Sequence, residues 1–362
     1  MALNTPRFIE ALIQEGYTHL CVVPCSFAKY VINEAINNPK IDYLPCASEA
    51  VACSVAAGLK MAGKKPLVIV QSSGVTNMGS CITSLLKPYG ITLPILTSWR
   101  TYQAGDSEIQ HQHLATELPE LIQAYGYQPV ILDNQDLSQA IAQINTSDTS
   151  HTFCIIKKDS FTPVELLPQH QLDLSNYAPR SHYLTHLNSN YKATDTLFIG
   201  TTGNTAREMY SLMPDTHNFY MAGNMGGALS LGLGAALAGK TVIVCGGDAE
   251  FVMHLGGLTT AGRYHNQAPL SLTYILFDNE SNKSTGGQNT YQQHLDYIQL
   301  AKAAGFNTPA ATITELDDFA ATLTACQQTN TTSARLNFLH VKCGIDPETP
   351  RPPLEAVKVN QF

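Results

Sequence analysis

Two short apolar runs, Thr241-Val242-Ile243-Val244-Cys245 and Leu272-Thr273-Tyr274-Ile275-Leu276-Phe277, limit what this chain can fold into more than any other feature. Each is rich in β-branched or aromatic side chains and nearly free of polar ones. That is the pattern of parallel strands buried on both faces. Parallel neighbours need a crossover between them, and residues 251–264 have the length for a helix.

Both runs end in acids, Gly247-Asp248-Ala249-Glu250 after the first and Asp278-Asn279 after the second. In open parallel sheets, ligands sit beyond the carboxyl ends of the strands. One carboxylate and one neutral oxygen at neighbouring strand ends suit a magnesium ion on a diphosphate. Such an ion keeps several waters or phosphate oxygens and takes few protein ligands. Asp248 and Asn279 with one backbone carbonyl would suffice. Gly, Asp and Asn are also ordinary turn residues at strand ends, so the spacing alone leaves both readings open.

Helix-like and strand-like segments alternate along the whole chain, predicting a doubly wound α/β fold. In the first half the pattern predicts helices at 6–15, 26–37, 48–62 and 75–86, with strands at 19–23, 66–71, 93–97 and 152–157. Helical stretches are also expected at 113–124 and 137–144. Residues 160–192 turn polar and lose periodicity, with prolines at 163, 168 and 179. A linker is expected at 166–192, between domains at 1–165 and 193–362. The second half restarts with a strand at 196–199 and closes with one at 336–341.

Composition excludes more than it assigns. The 362 residues, 44% of them hydrophobic, can fill two cores. No apolar stretch is long enough to span a bilayer, and the N-terminal segment lacks the pattern of a secretory signal. Nine cysteines, an odd number scattered through apolar runs, read as reduced thiols, so a cytoplasmic protein is expected. A net charge of -8 argues against nucleic acid as a partner. Any anionic substrate must be attracted locally.

Four further motifs bear on chemistry. Gly234-Ala-Ala-Leu-Ala-Gly239-Lys240-Thr241 matches the P-loop formula, but in the wrong context. Its apolar residues form a helix ending at Gly239, and Thr241 opens a strand. Thr201-Thr202-Gly203-Asn204-Thr205, between a strand and a helix expected to start near Ala206, offers hydroxyls and N–H groups to a phosphate. It also reads as an ordinary helix cap. Gly223-Asn224-Met225-Gly226-Gly227 sets one bulky apolar side chain among residues that allow close approach to the backbone. It also fits a core methionine between turns. Glu49, in Ala47-Ser48-Glu49-Ala50, is a lone carboxylate in the first turn of an apolar helix. It is either a candidate for acid–base work or a helix-dipole partner.

Together these motifs resemble the thiamine-diphosphate-dependent decarboxylases, in the phosphonopyruvate and sulfopyruvate branch. The elements carrying the resemblance are Ala47-Ser48-Glu49-Ala50, Gln71-Ser72-Ser73-Gly74, Ser98-Trp99-Arg100, Gln110-His111, Thr202 to Glu208, Gly223 to Gly226, and Ser284-Thr285-Gly286-Gly287-Gln288. They run in family order over nearly the whole chain. The resemblance implies two doubly wound parallel-sheet domains, one pyrimidine-binding and one diphosphate-binding, without a middle domain. It implies thiamine diphosphate and Mg2+ as cofactors. Glu49 would exchange a proton with the aminopyrimidine ring, with Cys25 and His111 as further catalytic residues. Thr202, Gly203, Gly223, Met225, Gly247, Ala249 and Ser73 would contact the cofactor, and Asp248, Asn279 and the Ser281 carbonyl would hold the metal. A homodimer or larger homo-oligomer, with sites shared between subunits, is implied too.

Departures from the pattern bear on the substrate. Val23-Pro24-Cys25-Ser26 stands where the family usually has Val-Pro-Asp-Ser, exchanging an acid for a thiol. Asp106 and Ser107 stand where a lysine and an aspartate are expected, which disfavours a strongly anionic head group if that loop touches substrate. The expected reaction is non-oxidative decarboxylation of a small 2-oxo acid, phosphonopyruvate first. Sulfopyruvate decarboxylation, carboligation of a less anionic 2-oxo acid, and a non-catalytic cofactor-binding subunit are the alternatives.

Overall fold

Parallel strands ordered around a buried centre account for both halves of the chain. The computed structural model describes residues 2–103, 105, 109–191, 195–215, 217–328 and 334–346. Asp106 and Ser107 lie outside the described residues. The chain divides into two units, Met1–Gln171 with Ser284–Asn289, and Leu172–Lys283 with Thr290–Phe362.

In the first unit, β1 (His19–Val22), β2 (Asp42–Pro45), β3 (Pro66–Gln71), β4 (Ile95–Ser98), β5 (Gln128–Ile131) and β6 (Thr152–Ile156) form one parallel sheet ordered β2-β1-β3-β4-β6-β5. Apolar periodicity predicts β1, β3, β4 and β6 but neither of the two edges. Both β2 and β5 are four residues long, partly exposed and contain a proline. Proline is tolerated at an edge, where a ladder bond is not needed from both sides. Phe8, Leu12, Val31, Ile32, Leu67, Leu96 and Ile144 pack one face of the sheet.

The helix expected at 75–86 is instead a 3-10 segment, Ser72–Met78, a turn of α-helix at Gly79–Cys81 and a π turn at Ile82–Leu86. Tight backbone approaches explain the irregular winding. A Cβ on Gly79 would stand 2.8 Å from the Tyr125 hydroxyl, and one on Gly74 2.3 Å from Glu49 Oε1.

In the second unit, β7 (Thr196–Gly200), β8 (Phe219–Tyr220), β9 (Thr241–Gly247), β10 (Ser271–Asp278) and β11 (Arg335–Lys342) are parallel and ordered β11-β10-β9-β7-β8. The helix Ala228–Leu237 stops before Gly239, at φ +94°, and Thr241 begins β9, so the P-loop formula is coincidental. Gly232 lets that helix lie on the sheet, since a Cβ there would meet Val244 Cγ2 at 2.5 Å. The crossover expected as one helix over 251–264 is broken into Asp248–Phe251, a 3-10 turn at Val252–His254, and Gly256–Gly262. The paired glycines 256 and 257 mark the break.

Two boundaries differ from the sequence reading. Within residues 166–192, expected as a linker, Arg180–Tyr191 is a helix of the second unit. It buries Tyr183, Leu184, Leu187 and Tyr191 and sends Arg180 into a two-bond ion pair with Glu208 at 2.7 and 2.8 Å. Polar and histidine residues around this narrow apolar stripe conceal it in the sequence. Ser284–Asn289 belongs to the first unit, where Gln288 is fully buried and donates from Nε2 to Asn33 Oδ1 at 2.8 Å. No helix among the described residues is long and apolar enough to cross a membrane.

Candidate active site

Most of the candidate residues follow the carboxyl ends of strands, and each unit holds its own set. In the first unit, β2 leads through Ser48 into the helix Glu49–Met61. The Ser48 hydroxyl caps that helix by accepting from Val51 N at 3.4 Å. Glu49, first in the helix, is 1% exposed. Its carboxylate lies in the space that a side chain on Gly74 would fill, and Oε2 accepts from Asn77 Nδ2 at 2.9 Å. Gly74 and Asn77 follow β3, so two strand ends define the carboxylate's position. Ser73 is half-buried, and its carbonyl accepts from the Thr76 hydroxyl at 2.8 Å.

Cys25 follows β1 and is fully buried, its thiol donating to Ser98 Oγ at 3.3 Å. His111 is buried, and its carbonyl accepts from the Thr101 hydroxyl at 3.0 Å.

In the second unit, β7, β9 and β10 are neighbours, and the register sets Phe277 beside Gly247 and Gly200 beside Cys245. Thr201 and Asp248 therefore leave the sheet at the same end at which Asp278 closes β10. Asp248 is 3% exposed and accepts from the Thr290 hydroxyl at 3.2 Å. Burial, and then the charge of Asp278, push its carboxyl up to about 7. Asp278 goes the other way. Burial raises it, but the His340 hydrogen bond and the Lys342 ammonium, each 3.0 Å from Oδ2, outweigh burial and hold it below the ordinary value. A buried carboxylate kept from ionising by its surroundings is one a cation would stabilise.

Asn279 is buried, and its Oδ1 accepts from Ser281 N at 3.1 Å. The buried Ser281 hydroxyl has no hydrogen-bond partner among the described residues. Oxygen donors of this kind fit magnesium, whereas no group of three or more His, Cys, Asp or Glu residues that could hold a metal occurs among the described residues. Gly247 is extended, and a Cβ on it would meet nothing within 4 Å. Thr202 donates to the Ala222 carbonyl at 2.8 Å, and Gly203, at φ +92°, precedes the helix Asn204–Leu212. Gly223 and Met225 are half-buried in the loop after β8. That loop turns through Asn224 at φ +57° and Gly226 at φ +94°, and a Cβ on Gly226 would meet the His254 ring at 2.9 Å.

The first half of this geometry coincides with a family model for the N-terminal thiamine pyrophosphate-binding domain, matched over residues 6–118. The second coincides with the model for the C-terminal thiamine pyrophosphate-binding domain, matched over residues 199–334. Phosphonopyruvate decarboxylase from Streptomyces viridochromogenes is 32% identical over 91% of this chain and 86% of its own length. The chain belongs to the thiamine pyrophosphate enzyme family. The phosphonopyruvate decarboxylase of Streptomyces hygroscopicus is 30% identical over 91% of this chain and 85% of its own. Sulfopyruvate decarboxylase from Methanosarcina acetivorans is 28% identical over 84% and 83%.

Within this thiamine pyrophosphate enzyme, the sequence reading overlooked Asn77, Thr290 and Glu250. Glu250 is 2% exposed, accepting from the Tyr274 hydroxyl at 2.9 Å and from Ala228 N at 3.4 Å. Tyr274 in turn explains Gly246, where a Cβ would lie 1.9 Å from its hydroxyl oxygen. The charge of Glu250 was visible in the run after Asp248, but its partners come from other strands and helices. Asn77 lacks even that signal, being one polar residue among several after Gln71.

Proposed function

We propose that this chain catalyses the thiamine-diphosphate- and magnesium-dependent decarboxylation of a small 2-oxo acid with an anionic head group, phosphonopyruvate foremost and sulfopyruvate second. One observation carries the reading. Glu49 is a carboxylate enclosed between a helix start and Gly74, in a chain 32% identical over 91% of its length to a phosphonopyruvate decarboxylase. The first unit is assigned as pyrimidine-binding and the second as diphosphate-binding.

Bound thiamine diphosphate would supply the sink for the electrons left when carbon dioxide departs. Glu49 would hold and return a proton at a pyrimidine ring nitrogen, with Asn77 fixing its carboxylate. Asp248, the Asn279 side chain and the Ser281 carbonyl would hold magnesium. Thr202, Gly203, Gly247 and Ala249 would meet the diphosphate, the Gly223 carbonyl would orient the pyrimidine amine, and Met225 would support the cofactor's bend. Ser73, Cys25 and His111 are assigned to the pyrimidine and substrate side.

A homo-oligomer is part of the proposal. The helix Glu49–Met61 exposes Val51 and Val55, and Ala228–Leu237 exposes Leu231 and Leu237, apolar faces of the kind that subunits cover. Nine free thiols suit a reducing, cytoplasmic setting.

The test is a panel of 2-oxo acids supplied with thiamine diphosphate and magnesium, following carbon dioxide and organic product, with and without an added aldehyde. Phosphonoacetaldehyde from phosphonopyruvate is the expected result. A ligated product in place of the aldehyde would give carboligation, and no turnover of any 2-oxo acid would overturn the reading.

A further inference from the structure

Between the two groups assigned to the metal after β10, the Asn279 side chain and the Ser281 carbonyl, stands a residue in a costly backbone conformation. Glu280 has φ +51°, in the left-handed region that glycine enters freely and a residue with a Cβ enters at a cost. Such a conformation persists where surrounding contacts over-determine it. The turn matters because it decides where the flanking oxygens lie. Asn279 Oδ1 accepts from Ser281 N at 3.1 Å, so the two candidate ligands are linked across Glu280.

Both the backbone and the side chain of Glu280 are held. Asp278 Oδ1 accepts from Glu280 N at 3.0 Å. The Glu280 carbonyl accepts from Thr290 N at 2.9 Å, and the Thr290 hydroxyl in turn bonds Asp248. Gln293 Nε2 donates to Glu280 Oε2 at 2.7 Å. The other carboxylate oxygen, Oε1, accepts from the ammonium of Lys342, which closes β11 opposite Asp278 in the register of the sheet. That ammonium also stands 3.0 Å from Asp278 Oδ2. Lys342 thus grips the residue before Asn279 and the residue after it. Its side chain is only 13% exposed, so solvent and salt screen the bridge less than they would a surface pair. The Asp278 end is fixed as well, since Oδ2 meets His340 Nε2 at 3.0 Å and the other nitrogen of that ring pairs with the Thr312 hydroxyl at 2.9 Å.

We propose that the Lys342–Glu280 bridge is a positioning device for the metal site, holding Glu280 in the left-handed turn that presents the Asn279 side chain and the Ser281 carbonyl to one magnesium ion. The proposal rests on the reading of this chain as a magnesium- and thiamine-diphosphate-dependent enzyme and adds to it two residues that act through their neighbours. Charge alone gives Lys342 the opposite effect, because an ammonium beside a cation site repels the cation. The two effects differ in sign and can be separated. Loss of Lys342 tightens magnesium binding if only its charge counts. It weakens binding if Lys342 holds the turn, since apparent affinity falls with the fraction of molecules in the competent conformation.

The test measures magnesium binding to the full chain by calorimetry, in excess thiamine diphosphate, for wild type, Glu280→Gly, Glu280→Ala, Lys342→Met, and Lys342→Met combined with Glu280→Gly. Glu280→Gly and Glu280→Ala lose the same charge and the same bridge, and differ in the cost of a left-handed turn. The alanine variant should bind magnesium about 5- to 30-fold more weakly than the glycine variant. Lys342→Met should weaken binding over a similar range, and adding Glu280→Gly should restore affinity to at least that of Glu280→Gly alone. Thermal melting of the same variants separates a merely structural part, which would lower the Tm of Lys342→Met without letting glycine rescue metal affinity. Equal affinities of the alanine and glycine variants overturn the proposal. So does unchanged or tighter binding by Lys342→Met, or a weakening that Glu280→Gly does not reverse. If Lys342→Met fails to fold, the alanine and glycine variants decide alone. Wild type that binds no magnesium with thiamine diphosphate refutes the metal reading itself, and the positioning role falls with it.

Discussion

Asn77 donates from Nδ2 to Glu49 Oε2 across 2.9 Å, while the same carboxylate fills the space where Gly74 lacks a side chain. The segment after β3 thus fixes the orientation of the carboxylate that the helix start supplies. Removing a hydrogen bond to a charged group typically costs about 1.5–3 kcal/mol. Asn77→Ala should therefore lower kcat about 10- to 150-fold while the cofactor still binds. Steady-state kinetics with cofactor titration checks this, and a variant with wild-type kcat would remove Asn77 from the account.

Metal binding should depend on pH through Asp248. Its carboxyl sits at about 7, raised by burial and by Asp278, and a metal takes the deprotonated form. Below pH 7 the apparent magnesium affinity should fall about tenfold per pH unit, and above it the affinity should level off. The same shift has a consequence for the apoprotein. The folded carboxyl holds a proton that the unfolded chain releases, so this group's contribution is full below the unfolded value and is lost as pH rises to about 7. Calorimetric titration of magnesium with thiamine diphosphate should show this profile, and Asp248→Ala should abolish metal-dependent cofactor binding. Equal, metal-independent binding by that variant contradicts the assignment.

Cys25 lies fully buried with its thiol on Ser98. If this thiol takes over work that an acid does elsewhere in the family, Cys25→Ala should slow aldehyde release about 2- to 12-fold, the range for losing one neutral hydrogen bond, and Cys25→Asp should raise it. A changed ratio of ligated product to aldehyde without a change in decarboxylation would make Cys25 a shaper of the pocket. Variants matching wild type in rate, preference and product ratio would leave it a packing residue.

Sites shared between subunits predict complementation. Glu49→Gln and Asp248→Ala protomers, each impaired alone, should recover activity when mixed and allowed to exchange. At equal mixing half the dimers are mixed with one intact site each, giving about a quarter of wild-type activity. Light scattering should find at least a dimer. Recovery that never exceeds the separate variants contradicts the shared geometry.

Much of this arrangement was legible in the chain because its signals are local. The buried central strands announce themselves by unbroken apolar runs, and Asp248 and Asn279 follow directly from where those runs end. Edge strands β2 and β5 gave no such signal, since an edge tolerates Pro45 and Pro129 and needs little burial. The helix Arg180–Tyr191 was hidden because Tyr183, Leu184, Leu187 and Tyr191, with the buried Arg180, suffice to hold it. Asn77, Thr290 and the Glu250–Tyr274 pair depend on contacts between residues far apart in sequence, where neither periodicity nor spacing carries information. The docking of Ser284–Asn289 in the first unit is of the same kind, resting on Gln288 finding Asn33.

The central claim is that Glu49 ionises a bound thiamine diphosphate. Exchange of the cofactor's thiazolium C2 proton for deuterium, followed by NMR after acid quench, measures that step without any substrate. Wild type with magnesium should exchange far faster than free cofactor, and Glu49→Gln should bind the cofactor but exchange about 100- to 10,000-fold more slowly, the usual worth of a general acid–base group. Exchange by Glu49→Gln at the wild-type rate would contradict the account, leaving Glu49 a buried helix-terminal charge.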